Sequence, residues 1–358
     1  MSVLFSPLTI RHVTIRNRIA VSPMCMYSAE DGFVNNWHLV HLGSRAVGGA
    51  GLVIQEATAV SPEGRISAAD AGIWKDEHIE KLQEITAFIH EQGAIAGIQL
   101  AHAGRKASCL PPWKSGKQVP RVAGGWQTVA PSPIAFREGT EAPVALDAAA
   151  IQQVIHYFTA ASARALKAGY KLIEIHAAHG YLLHQFLSPL SNQRTDNYGG
   201  NFENRTRLLL EVVKAVQSVW PADYPLFVRI SATDWAEGGW DLEQSVQLAA
   251  LLKQQGVDLV DCSSGGLVPH VKIPVEPGYQ VPFAERIKKE TGVLTGAVGL
   301  ITKAVQAEQI IANAQADIVL LARELLRDPY FPLHAAHELG AGITWHPQYE
   351  RAKPHSSF

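Results

Sequence analysis

Tyr170-Lys-Leu-Ile-Glu-Ile-His-Ala-Ala-His-Gly-Tyr181 is a short apolar run that ends in two histidines and a tyrosine. The run Leu172, Ile173, Ile175 is short, rich in β-branched residues and preceded by Gly169, which fits an interior parallel strand better than a helix. His176, His179 and Tyr181 then stand where that strand opens into a loop. An imidazole donates a hydrogen bond to a ligand oxygen and a phenol delivers a proton, so the three suit polarising a carbonyl and protonating its neighbour. On this segment alone, a metal pair or core histidines capping a strand remain equally good readings, because two histidines three residues apart are a weak signal.

The decision comes from the rest of the chain, where the same pattern of apolar run and polar cluster recurs. Ile19–Cys25, Gly51–Ala57, Ala94–Leu100, the histidine segment, Leu226–Ser231, Leu259–Ser264, Leu294–Gly299 and Asp317–Arg323 make eight predicted strands. Helical stretches lie between them. The clearest is Asp147 to Ala168, with Ile151, Val154, Ile155, Phe158, Ala161 and Ala165 at three- and four-residue steps, Asp147 as N-cap and Gly169 as stop. Leu208, Leu209, Val212, Val213, Val216 and Val219 trace a second apolar face, and Thr302 is placed to cap a third helix. Eight alternating units predict an α/β fold, a single (β/α)8 barrel over residues 1–358, with an N-terminal β-hairpin and an extended loop after strand 3. A doubly wound sheet fits less well, because Gly48-Gly49-Ala50-Gly51 precedes a strand instead of following one.

Barrel enzymes do their chemistry at the carboxyl ends of the strands, and the polar residues fall there repeatedly. Cys25 and Tyr27 follow the first strand, Gln99 and His102 the third, Ser263 and Ser264 the sixth, Gly296 and Gly299 the seventh, and Arg323 the eighth; Arg229 sits within the fifth. The Pro- and Gly-rich stretch 111–142, with Trp113 and Trp126, is expected to be a lid or binding loop, with a passive surface insertion a nearly equal alternative.

With 47% hydrophobic residues and a formal net charge of −2, a 358-residue chain can bury a large core and shows no pull toward nucleic acid. No apolar run is long enough to span a membrane, and Met1-Ser-Val-Leu-Phe-Ser-Pro7 lacks the basic start of a secretion signal. Cys25, Cys109 and Cys262 are too scattered for a disulfide framework or an iron–sulfur cluster, so a reducing cytoplasm is the expected setting.

At this point the residues resemble a known family. Ser22-Pro-Met-Cys-Met-Tyr27, Gly97-Ile-Gln-Leu-Ala-His-Ala-Gly-Arg-Lys106, Glu174-Ile-His-Ala-Ala-His-Gly-Tyr181, Ser188-Pro-Leu-Ser-Asn192, Arg194-Thr-Asp-Asn-Tyr-Gly-Gly200 and Arg323-Glu-Leu-Leu-Arg-Asp-Pro329 are similar to the Old Yellow Enzymes, in the bacterial branch of thermophilic-like ene reductases. The resemblance covers essentially the whole chain. It implies an FMN held noncovalently over the barrel mouth, reduced by NADPH, that passes hydride from flavin N5 to an α,β-unsaturated carbonyl in a ping-pong cycle. By similarity Ser22, Pro23, Met24, Cys25 and Ala57 line the isoalloxazine, Gln99 bonds its pyrimidine edge, and Arg229 sits near N1 and the C2 carbonyl. The phosphate falls to Val298, Gly299, Ala322 and Arg323, although Ala322 stands where the family usually has glycine. The resemblance implies that His176 and His179 bind the substrate oxygen, that Tyr181 protonates the α-carbon, and that Tyr27 and Cys25 contact the substrate. It also implies that Arg351, in a tail spanning 343–358, reaches into a neighbouring subunit's site, giving a homodimer or a homotetramer. No metal is implied.

Two other readings compete. One is a flavin-free barrel aldolase or isomerase acting on a phosphorylated substrate, against which no strand carries a well-placed Schiff-base lysine. The other is a flavin-binding protein without turnover.

Overall fold

In the computed structural model, which describes residues 2–354, the apolar runs become eight parallel strands closed on themselves. Chain order gives β1 (Leu8–Ile10), β2 (Val13–Ile15), β3 (Ile19–Val21), β4 (Leu52–Ala59), β5 (Ile95–Ala101), β6 (Val129–Ala130), β7 (Val144–Ala145), β8 (Leu172–Ala177), β9 (Leu226–Ser231), β10 (Leu259–Ser263), β11 (Leu294–Ala297) and β12 (Ile318–Leu321). The barrel runs β3-β4-β5-β8-β9-β10-β11-β12 and returns to β3. The hairpin expected at the N-terminus is β1 paired antiparallel with β2. Its Ile10 and Ile15 pack with Leu52, Leu172, Phe227 and Leu259, which lie at or next to the start of their strands, so the hairpin plugs the amino-terminal end of the barrel.

Side chains alternate across a strand with period two, so inward-facing residues of neighbouring strands stack in layers. Leu172, Phe227 and Leu259 form part of the apolar floor. Two residues further along β8, β9 and β10 come Glu174, Arg229 and Asp261, and two beyond those come His176, Ser231 and Ser263. The alternate set, including Ile173, Ile175, Val228 and Val260, buries against the helices in a separate cluster. From floor to mouth the interior therefore passes from apolar to ionic to hydrogen-bonding. In β4 a bulge between Gln55 and Ala57 shifts the register so that Ala57 pairs with Gln99.

Of the surrounding helices, Ala148–Lys167 follows its predicted course. The Asp147 carboxylate accepts from the Ala150 amide at 2.8 Å, Ile151, Val154, Phe158 and Ala161 are buried, and Gly169 ends the run at φ +86°.

Two expectations need correction. The first barrel strand stops at Val21, not Cys25, because Pro23 has no amide for the ladder; Cys25 lies in the irregular segment beyond. Thr302 does not cap its helix: Lys303 precedes Ala304–Ala312, and the Thr302 amide instead donates to Gln306 Oε1 at 3.1 Å. Stretch 111–142 is ordered along much of its length. It carries the 3-10 turns Pro112–Lys114 and Arg121–Ala123, and the short ladder of β6 with β7 ties its far end down. Trp126 anchors it further, its Nε1 donating to the Glu63 carbonyl at 2.9 Å and its amide to Ser108 Oγ at 3.0 Å. Among the described residues no helix is long and apolar enough to cross a membrane.

Candidate active site

The ionic layer lies directly beneath the mouth. Gln99 Nε2 donates to Glu174 Oε1 at 2.7 Å, and Arg229 Nη1 donates to Ser22 Oγ at 3.1 Å. Arg229 Nε is 3.1 Å from Asp261 Oδ2, close enough for an ion pair but off the line for a hydrogen bond. Arg229 and Asp261 thus form a buried ion pair, while a second edge of the guanidinium turns toward Ser22. Glu174 Oε2 and both Asp261 oxygens are buried with no donor, while the two carboxyls lie within hydrogen-bonding reach of each other. Burial raises both carboxyls; Asp261's charge adds to this at Glu174, and Arg229 opposes it at both. A single proton shared between them satisfies the arrangement.

Above this layer, His176 and His179 meet edge to face with ring centroids 5.2 Å apart. His176 Nδ1 accepts from the Ala178 amide at 3.3 Å, which leaves the proton on Nε2. His179 Nε2 is 2.7 Å from Ser263 Oγ, and its amide donates to Ser231 Oγ at 2.9 Å. Burial first, and then the Arg229 charge, hold both imidazoles well below their ordinary pKa, so they are neutral near pH 7. His179 sits at φ +58°, a left-handed conformation that costs a side-chain-bearing residue about 1–3 kcal/mol and is typical of residues held for function.

Tyr181 packs edge-on to His176 at 5.0 Å. Burial raises its phenol well above the ordinary value, so it is a proton carrier and not a phenolate. The turn that presents it is pinned from behind: His184 Nδ1 accepts from the Gly180 amide at 2.9 Å, and His184 Nε2 lies 2.9 Å from the buried Asp234 carboxylate. Burial pushes Asp234 up, but His184, the Ser188 hydroxyl and the Trp240 amide outweigh it and hold the carboxyl below its usual value. Lys106 lies 5.1 Å from the Tyr181 ring centroid and donates to the carbonyls of His179 and Gly266 at 2.8 and 2.9 Å. Burial lowers its pKa to about 8, yet two carbonyl acceptors tie its ammonium to the chain.

The remaining expected residues fall around the rim. Pro23, Met24 and Cys25 are half-buried, and Ala57 is buried beside Gln99. Burial pushes the Cys25 thiol well up, with Asp70 and Glu56 adding to the effect, so it is no thiolate nucleophile. Tyr27, at φ +47°, meets the exposed Trp113 of the 111–142 loop edge-on at 5.7 Å. At the ends of β11 and β12 a cavity of about 150 Å³ is lined by Val298, Gly299, Ala322 and Arg323. Gly299 is needed there: at φ +128° a Cβ would meet Gln280 Nε2 and the Tyr279 ring at 3.1 Å. Among the described residues the Arg323 guanidinium has no ion pair or hydrogen bond, so this cavity holds an uncommitted cation.

Arg351 is exposed in the 3-10 turn Pro347–Ala352 and does not line any of these cavities of its own chain. Residues 355–358 of the tail lie outside the described part. The sequence reading assigned no role to Glu174, Asp261, Lys106, His184 or Asp234. The first two carried a signal, a carboxylate at an inward position within an apolar strand, which burial makes costly unless it is paired.

Neutral imidazoles above a buried arginine, together with a cavity at the last two strands that holds an uncommitted arginine, make the barrel mouth a candidate site for a ligand with polar and anionic groups. Comparison with known proteins agrees. The profile of the NADH:flavin oxidoreductase / NADH oxidase family matches residues 3–341. An NADPH dehydrogenase of Geobacillus sp. (strain WCH70) is 54% identical over 352 residues, 98% of each chain. Among solved structures, morphinone reductase superposes with a TM-score of 0.78 at 27% identity, covering 97% of this chain and 92% of that one. A 2-naphthoyl-CoA reductase gives a TM-score of 0.85 at 25% identity over 95% of this chain, which spans only 52% of that longer protein. The chain belongs to the NADH:flavin oxidoreductase / NADH oxidase family, and it is a flavin-dependent oxidoreductase.

Proposed function

We propose that this protein is an NADPH-dependent ene reductase that saturates the C=C bond of α,β-unsaturated carbonyl compounds. The observation that carries the reading is the pair of neutral imidazoles beside a protonated phenol at the mouth.

The residues fit FMN. The cavity at β11 and β12, with Arg323 uncommitted, suits the phosphate dianion; Gln99 and Arg229 offer a donor and a cation to the polar edge of the ring; Ser22, Pro23, Met24, Cys25 and Ala57 form its wall. When bound, the flavin supplies a hydride to the β-carbon of the substrate after NADPH has reduced it.

Everything else is done by the chain. His176 offers Nε2–H to the substrate carbonyl oxygen. With Ser263 Oγ taken as the donor to His179 Nε2, that ring carries its proton on Nδ1 and supplies a second neutral donor. Neutral donors stabilise negative charge as it develops on the oxygen without transferring a full proton. Tyr181 delivers the proton to the α-carbon, and the His184–Asp234 pair keeps its turn in place. The 111–142 loop acts as a lid, with Trp113 against Tyr27 excluding water. Arg351 completes the site of a neighbouring copy in a dimer or tetramer; truncation before Tyr349 that leaves assembly and enone affinity unchanged rejects that part.

The overall test is an anaerobic titration of the purified yellow protein. NADPH should bleach the flavin band and cyclohexenone should restore it. Bleaching without recovery on the enone contradicts ene reduction.

A further inference from the structure

Between the barrel mouth and the 111–142 loop lies a cavity of about 430 Å³, much larger than the one at β11 and β12. Its inner end is Tyr27 and Lys106, and its outer walls include Lys117, Phe136 and Arg137. The cations in it differ in one respect. Arg105 is spent on the carbonyls of Ile134 and Leu267, and Lys106 on those of His179 and Gly266. Among the described residues, neither the Arg137 guanidinium nor the Lys117 ammonium has any ion pair or hydrogen bond, although both line the cavity. Glu138 is the sole carboxylate there, so the lining is net positive. Phe136 adds a ring face, with Lys106 4.6 Å and Arg137 5.5 Å from its centroid.

A ring face beside a guanidinium fork suits a stacked base with a phosphate next to it. Lys106, which lines the cavity, also lies against Tyr181, so the cavity adjoins the part of the mouth that carries the histidines. Of the two small molecules in the proposed reaction, an unsaturated ketone has no anionic end. NADPH has one.

We propose that the lid cavity binds the adenosine 2′-phosphate end of NADPH, with Arg137 and Lys117 on the phosphate and Phe136 against the adenine, and that this gives the protein its preference for NADPH over NADH. This rests on the NADPH-dependent reading above.

Calorimetric titration of the holoprotein with adenosine 2′,5′-bisphosphate, 5′-AMP and inorganic phosphate tests the site apart from turnover. The bisphosphate should bind more tightly than either of the others, and Arg137→Ala should weaken it about tenfold, the size of one charge-assisted hydrogen bond. In anaerobic stopped flow, Arg137→Ala and Arg137→Ala/Lys117→Ala should slow bleaching by NADPH about tenfold more than bleaching by NADH. Equal loss for the two nucleotides, bisphosphate affinity unchanged in the double variant, or phosphate bound as tightly as the bisphosphate would each overturn the assignment. Bisphosphate binding that depends on Arg137 in a protein bleached by neither nucleotide would support the site and sink the proposed function instead.

Discussion

The two sides of the barrel mouth are built on opposite principles. On the side of β8, β9 and β10, charged and polar groups are buried and committed to one another: Glu174 to Gln99, Arg229 to Ser22 and Asp261, His179 to Ser263. On the lid side, Arg137 and Lys117 are exposed and make no ion pair or side-chain hydrogen bond among the described residues, Arg137 resting only against the Phe136 ring. His179 is further held in place by Ser231, whereas the lid hangs from a few anchors such as Trp126. Buried, mutually satisfied groups fix the geometry of reaction, and the exposed ones are free to recognise a ligand. Damage to the first side should cost fold or rate, and damage to the second should cost affinity or selectivity.

The largest effect is expected at Arg229. Replacing it with Met leaves two buried carboxyls without a cation, and breaking such a pair costs on the order of 3–5 kcal/mol. Thermal unfolding of the apoprotein should move down by several degrees and flavin content should fall; an unchanged midpoint would show that the ionic layer is not a unit.

Tyr181→Phe comes next. Loss of a positioned proton donor should slow flavin reoxidation by cyclohexenone about a hundredfold while bleaching by NADPH stays within a few-fold. Full reoxidation speed would mean that solvent supplies the proton. On the lid, Trp113→Ala removes an exposed edge contact with Tyr27 and should raise the apparent KM for enone only a few-fold, with little change in kcat.

The smallest expected change is with pH. His176 and His179 are depressed below the usual imidazole value, so they are already uncharged as pH falls through about 6.5; Tyr181 is raised, so it keeps its proton as pH rises toward about 10. These three groups should therefore add no limb to the reoxidation rate constant between about pH 6 and 9, and a limb at about 8 would belong to Lys106. An acid limb near pH 6.5 that disappears in His179→Ala would show that the imidazole works as a cation.

Much of this was legible in the sequence because parallel strands announce themselves as short apolar runs, and barrel topology sends the residue after each run to one rim. The histidines, Tyr181, Gly299 and Arg323 were reached in that way, Arg229 as a charge within an apolar run, and Val298 and Ala322 only through the family resemblance. Three features were not. Pairing of Glu174 with Asp261 depends on how strands far apart in sequence close the barrel. The bulge that moves Ala57 beside Gln99 depends on one extra residue with no local mark in Gln55-Glu56-Ala57. The lid cavity exists because 111–142 folds back over Lys106, and composition alone does not give that path.

The most direct measurement is anaerobic stopped flow on wild type, His176→Ala and His179→Ala, with the two half-reactions recorded separately. Each variant should retain bound flavin and be bleached by NADPH within a few-fold of wild type, yet be reoxidised by cyclohexenone about a hundredfold more slowly, the loss expected on removing one donor to a developing oxyanion. Reoxidation at the wild-type rate in either variant would contradict the assignment of that imidazole to the substrate oxygen.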